Sequence, residues 1–409
     1  MLHRIWLSFF LMAGLSALYQ WLAVGDSEVF QRIITACFDM AALSVELALG
    51  LIGLMSLWLG LMAVGQAAGL IDKLAQLLAP LFARLMPEVP RGHPAISSIT
   101  LNLSANVLGL DNAATPLGLK AMKDLQTLNP TPDTASNAQI LFLVLNTSSV
   151  TLFPMTVLLY RAQLGAPDPA AVFLPILLAT SCSTLVGLLV TARVQRLRLI
   201  DTVVLSYFAL IAASLLALVA YLGTLTAAEL TRQSSLIGNL LIFGLILGFL
   251  GIAHRREVNV YECFIEGAKQ GFKIAIDIIP FLLAMLVAIG VFRASGALDL
   301  IMDAVRVLVG FFGSDTRWVD VLPTALMKPL SGSGSRAMMV ETMNTHGVDS
   351  FQGLLAATIQ GSTETTFYVL AVYFGSVGIR HGRHALACGL AADGAGITAA
   401  ILLAYWFYG

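Results

Sequence analysis

The sequence predicts an all-α polytopic membrane protein of about nine transmembrane helices, with re-entrant hairpins, arranged as two inverted repeats. Three observations carry that prediction. Hydrophobic residues make up 58% of the 409 and charged residues 11%, where a soluble domain has about 25% charged residues. Apolar runs near the length of about 20 residues needed to cross a bilayer recur along the chain. Polar clusters cut several of these runs, at matching places in the two halves of the chain.

Taken in order, the first apolar run, residues 5–24, follows Arg4 and is too long and too aromatic for the core of a signal peptide, so it is expected to remain as a span. Further spans are expected at residues 43–64, 138–159, 171–194, 203–222, 236–252, 274–292, 354–374 and 386–406. Residues 70–85 and 300–312 are amphipathic and shorter, which suits helices lying at the interface or, as the alternative, parts of broken spans. Basic residues concentrate on the side of the N-terminus, which predicts a cytoplasmic N-terminus in a bacterial inner membrane. Arg161, Lys328 and Arg336 fall among those assigned to the outer side.

A diverged duplication relates the halves. Val29-Phe30-Gln31 and Val260-Tyr261-Glu262 open similar stretches, with Glu46 and Asp277 at the same distance beyond each. Gly69-Leu70-Ile71-Asp72 matches Gly296-Ala297-Leu298-Asp299, and Asn146 to Thr151 falls opposite Gln360 to Thr365. Residues 1–200 and 226–409 are therefore read as two repeats, and residues 201–225 as a linker span that leaves the second repeat upside down. Glu46 and Asp277 are expected near the N-terminus of a span, where a carboxylate favours the helix dipole.

Four polar breaks stand out. In LNTSSVTLFP the side chains of Asn146, Thr147, Ser148 and Ser149 interrupt one span; in IQGSTETTF those of Gln360, Ser362, Thr363, Glu364 and Thr365 interrupt its counterpart. Upstream, NVLGLDNAATP carries Asn106, Asp111, Asn112 and Thr115, and KPLSGSGSR carries Ser331, Gly332 and Ser333. These upstream segments read as helix, break, helix, with pieces of about 10 residues or roughly 15 Å, half a bilayer. Backbone groups freed at such breaks cannot face lipid and must be buried in protein or line a wet cavity. Facing lipid, the Glu364 carboxylate alone would cost roughly 2.5–3.5 kcal/mol. The two hairpin tips and the two unwound spans are thus expected to form a central polar cavity, with Glu364 and Asp393 as intramembrane carboxylates suited to coupling with protons or sodium. Serine and threonine in spans also serve simply as packing residues that bond back to their own helix.

At these breaks the sequence resembles two families. NVLGLDNAATPLGLKAM with LNTSSVTLFP resembles spore maturation protein A; PLSGSGSRAMMVE, IQGSTETTFYVLAVYFGSVGI and ADGAGI resemble spore maturation protein B. The resemblance covers nearly the whole chain and implies a natural fusion of the two, within the nucleoside recognition, or gate-domain, group of membrane proteins. That group is similar to parts of concentrative nucleoside transporters and of ferrous iron transporters, which implies transport through hairpins and unwound helices. The breaks carry no paired Cys, Met and His set of the kind an iron path would use.

The expected function is transport of a small polar solute, nucleoside-like or another metabolite, by alternating access. A structural or regulatory component of an envelope complex is the alternative. The expected partners are that solute, the lipid bilayer and, as a candidate, a second copy of the chain. With a net charge of −1 and no dense basic block, nucleic acid is not expected. Four cysteines without CxxC spacing indicate neither a zinc site nor a disulfide framework, and no cofactor is expected. All six histidines lie outside the expected spans, so no Ser-His pair is placed at membrane depth and no enzyme is expected.

Overall fold

In the computed structural model, residues 2–409 are described except 91, 110, 149, 150, 198 and 312–314, and residues 2, 3, 5 and 111–113 are described by backbone alone. The described chain is helical throughout, with one isolated parallel bridge between Thr134 and His381. The first half comprises α1 (Leu2–Tyr19), α2 (Val29–Ala67), α3 (Leu70–Leu85), α4 (Pro94–Val107), α5 (Asp111–Gln126), α6 (Asn137–Ser148), α7 (Met155–Gln163) and α8 (Phe173–Gln195). After α9 (Thr202–Leu222) the same order of lengths returns. It runs α10 (Ala227–Arg255), α11 (Val260–Ala294), α12 (Ala297–Phe311), α13 (Leu322–Leu330), α14 (Gly332–His346), α15 (Phe351–Ser362), α16 (Thr366–Ser376) and α17 (Ala385–Tyr408).

Among the described residues seven helices are long and apolar enough to cross a membrane: α1, α2, α8, α9, α10, α11 and α17. The two remaining expected spans, 138–159 and 354–374, are each split, into α6 and α7 and into α15 and α16. Both upstream segments form helix pairs, α4 with α5 and α13 with α14, as their central breaks predict. Burial orders the layers: the apolar window of α8 is 61% buried and that of α9 only 6%. α9 therefore faces the surroundings while α8 fills the centre.

Local chemistry sets the helix starts. Thr226 and Glu229 form a reciprocal capping box on α10, the Thr226 N–H reaching Glu229 Oε2 at 2.8 Å. Asp201 caps α9 by accepting the Val203 N–H, and Ser350 caps α15 by accepting the Gly353 N–H. Two expectations need correction here. α2 begins at Val29 and runs for 39 residues, and α11 begins at Val260 and runs for 35, so Glu46 and Asp277 are exposed side chains inside continuous helices rather than at helix starts. Arg32 and Asp39 interrupt the apolar pattern without interrupting the helix, because a charged side chain on an exposed face costs the backbone nothing.

Helices α2 and α11 pack antiparallel. A Cβ built on Gly267 would lie 2.4 Å from the Leu59 carbonyl oxygen, one on Gly271 2.6 Å from Ser56 Cα, and one on Gly290 2.5 Å from Met40 Cγ. As numbers rise along α11 they fall along α2, and the missing side chains let the two backbones touch. Likewise the Ser183 hydroxyl of α8 donates to the Ala392 carbonyl of α17 at 2.9 Å, with Gly187 against Ala392 and Gly396 against Ser183.

Candidate functional site

The broken spans also run antiparallel, and their breaks meet. The Glu364 N–H donates to the Thr147 carbonyl at 2.7 Å, so unwound backbone from one half satisfies unwound backbone from the other. Thr363 Oγ1 lies 3.0 Å from the same carbonyl and 2.6 Å from Asp393 Oδ1, and Thr366 Oγ1 donates to Asp393 Oδ2 at 2.5 Å. Asp393 is 1% exposed. Lys328, 3% exposed on α13, and the half-buried Glu364 both act electrostatically on it.

A second node lies beside the first. Asn106 of α4 donates to Asn146 Oδ1 at 2.8 Å, and the Tyr373 hydroxyl of α16 reaches that oxygen at 3.3 Å. Asn102 Nδ2 donates to the Ala114 carbonyl at 2.7 Å and reaches the Tyr373 hydroxyl at 3.4 Å. Tyr373 is held by stacking on Phe142, their centroids 5.8 Å apart. The first hairpin is pinned to the break by the Leu152 N–H, which donates to the Val107 carbonyl at 3.0 Å. Gly109 completes that turn at φ +71°, where a Cβ would lie 2.3 Å from the Phe153 oxygen.

Of the residues expected at the site, Asn106, Asn146, Thr147, Thr363, Glu364 and Asp393 come together in these two nodes. Ser331 caps α14 by accepting the Gly334 N–H at 3.0 Å and touches Ser333 Oγ at 3.3 Å. Gly332 approaches Thr365, whose Oγ1 would stand 2.9 Å from an added Cβ. Ser362 is buried and bonds back to Ile359, the packing role open to any serine in a span, and Thr115 is half-buried on α5. The Asp111 and Asn112 side chains and Ser149 lie outside the described residues. Four buried polar atoms at the breaks and hairpin, Thr147 Oγ1, Ser148 Oγ, Gln360 Oε1 and Asn102 Oδ1, have no hydrogen-bond partner among the described residues.

Two latches close the ends of the broken spans. At one end Arg161 of α7, fully buried, donates to the carbonyls of Val348 (2.9 Å), Asp168 (3.2 Å) and Pro169 (3.2 Å) and to Asp349 Oδ1 at 2.8 Å. At the other end the Arg380 and His381 N–H groups donate to the Asp133 carbonyl, at 2.8 and 3.0 Å, and Arg383 donates to the Ala135 carbonyl at 3.1 Å. Gln195 Nε2 lies 3.0 Å from His384 Nε2 there. Burial, and next the Arg383 charge, hold the His384 imidazole below its ordinary value. A cleft of about 550 Å³ opens beside this second latch, lined by Glu88, Asn129, Asn137 and Arg383 among others, and no break residue lines it. Arg161 and Lys328, two of the basic residues assigned to the outer side, lie buried inside the protein rather than in loops. Asn102 and Tyr373 are not among the residues the sequence marks for the site, while Thr366 ends the polar run that begins at Gln360. The signal for Asn102 was an amide inside an apolar run, TLNLSANV, while nothing in YVLAVYF marks Tyr373.

These features define an all-α polytopic membrane protein in which two broken spans, each accompanied by a helical hairpin, bond to one another at a polar centre. The chain belongs to the Gate family, described as nucleoside recognition, whose model matches residues 48–166 and 275–380. Each matched stretch contains one hairpin and one broken span. The chain is 46% identical to spore maturation protein B of Bacillus subtilis (strain 168) over 165 residues, 40% of this chain and 91% of that protein. It is 39% identical to spore maturation protein A of the same organism over 153 residues, 37% of this chain and 78% of that protein. These matches are consistent with a fusion of two such parts. No solved structure matches it.

Proposed function

We propose that the protein is a transporter of a small polar solute, working by alternating access of two inverted halves, residues 1–200 and 226–409, joined by the span within 201–225. The observation that carries this reading is the bonding of the two breaks through Thr147 and Glu364, beside buried hydroxyl and amide oxygens that have no partner among the described residues. Leaving a buried polar group unpaired costs about 1–3 kcal/mol each, so oxygens clustered this way call for a polar partner, water or solute. The residues that would meet it are Asn106, Asn146, Thr147, Ser148, Gln360 and Thr363, with Ser331, Gly332, Ser333 and Thr365 on the second hairpin side.

Antiparallel packing of α2 on α11 and of α8 on α17 supports the inversion. The latches at Arg161 and at Arg383 would then open in turn, one toward each face. The excess of basic residues on the N-terminal side supports a cytoplasmic N-terminus in a bacterial inner membrane.

Purified protein in liposomes, screened with nucleosides and amino acids under proton and sodium gradients, should show uptake of at least one solute class. Asn146→Leu should abolish that uptake while the protein remains folded. No flux and no binding across the screen, with a co-purifying envelope protein in its place, would overturn transport in favour of a structural role.

A further inference from the structure

Three oxygen contacts in series join Asp393 to the other half: Thr366 Oγ1 to Asp393 Oδ2 (2.5 Å), Asp393 Oδ1 to Thr363 Oγ1 (2.6 Å), and Thr363 Oγ1 to the Thr147 carbonyl (3.0 Å). Thr363 Oγ1 also lies 3.5 Å from the Glu364 carbonyl, at the outer limit of a hydrogen bond; each of the three shorter contacts takes one hydrogen, and the two hydroxyls supply two. A hydrogen on Asp393 supplies the third: Asp393 Oδ1–H donates to Thr363, and Thr363 donates to Thr147. When that proton leaves, both hydroxyls turn to the carboxylate in charge-assisted bonds, for which 2.5–2.7 Å is the ordinary range. The Thr363 hydrogen is then withdrawn from Thr147.

From this arrangement we infer that Asp393 carries the coupling ion as a proton, and that its protonation switches a hydrogen bond between the two halves. The role in coupling rests on the transport reading above.

Facing Asp393, α13 presents Lys328 and the α15–α16 break presents Glu364, which act on it in opposite senses. α6, α8 and α16 present Thr147, Ser183 and Thr366, none of them titratable near neutral pH. The charged side chains of α10 sit toward its ends, at Glu229 and Arg232 and at His254 and Arg255. The proton is exchanged with water.

Infrared difference spectra of the full chain in lipid nanodiscs, between acidic and alkaline buffer, test this without any solute. The expected result is a carboxylic-acid carbonyl band that disappears at high pH, is absent in Asp393→Asn and is displaced in Thr363→Val. Added sodium at constant pH should leave the band unchanged. Absence of a band that depends on Asp393, or its removal by sodium, overturns the proposal. A titrating band in a protein that moves no solute would sink the transport reading and spare the proton site. Ion-driven flux with no such band would do the reverse.

Discussion

Replacing Arg161 by alanine tests the first latch. The guanidinium is fully buried and holds three backbone carbonyls, while its carboxylate partner, Asp349, is 48% exposed. Hydrogen bonds of this kind contribute about 1 kcal/mol each, and the half-exposed ion pair adds about 0–1 kcal/mol because water screens it. Arg161→Ala should therefore cost about 3 kcal/mol, roughly two orders of magnitude in the folding equilibrium at about 1.4 kcal/mol per tenfold. Asp349→Asn keeps an acceptor for Nη2 and removes only charge, so it should cost under about 1 kcal/mol. Arg161→Lys keeps the charge and loses the planar fork, and should fall between the two. Unfolding of each variant in bicelles, followed by tryptophan fluorescence, gives the ordering. If Asp349→Asn costs as much as Arg161→Ala, the charge pair and not the carbonyl set holds the latch, and the reasoning is wrong.

Gly267→Ala pushes a methyl into the Leu59 carbonyl and should lower stability by about 1–3 kcal/mol, while Gly53→Ala, with nothing within 4 Å, should be silent in the same thermal melt. Tyr373→Phe removes only one of the polar groups that reach Asn146 Oδ1, so solute uptake should fall less than in Asn146→Leu, in which Asn106 and Tyr373 both lose their partner. His384 should titrate by NMR below 6.5. The folded chain resists a proton that the unfolded chain accepts, so this stabilisation is whole above about pH 6.5 and is lost as pH falls toward the folded value. His384→Gln should flatten that part of the stability profile.

The breaks could be read from sequence because Asn146, Gln360 and Glu364 are expensive in lipid, and expense marks position at single-residue resolution. Their convergence followed from pairing the halves, since each break needs a partner for its freed backbone. The buried cations could not be read the same way. Counting basic residues by loop places Arg161 and Lys328 in loops, whereas the burial of Arg161 rests on acceptors that no loop count shows, the nearby Asp168 and Pro169 carbonyls together with Val348 and Asp349 far away in the chain. Tyr373 escaped notice because an aromatic side chain in an apolar helix carries the same hydropathy whether its hydroxyl meets lipid headgroups or an asparagine. The starts of α2 and α11 were placed too late because hydropathy measures contact with lipid, while helicity continues wherever each N–H finds its own carbonyl four residues back.

The bond from Glu364 to Thr147 has a consequence for assembly. Neither portion of the chain can complete its own interrupted crossing, since the donor belongs to one portion and the acceptor to the other. Encoding both on one polypeptide, tethered through α9, fixes their stoichiometry at one to one. It also makes their docking intramolecular, at a local concentration set by the tether and not by how much protein the cell makes.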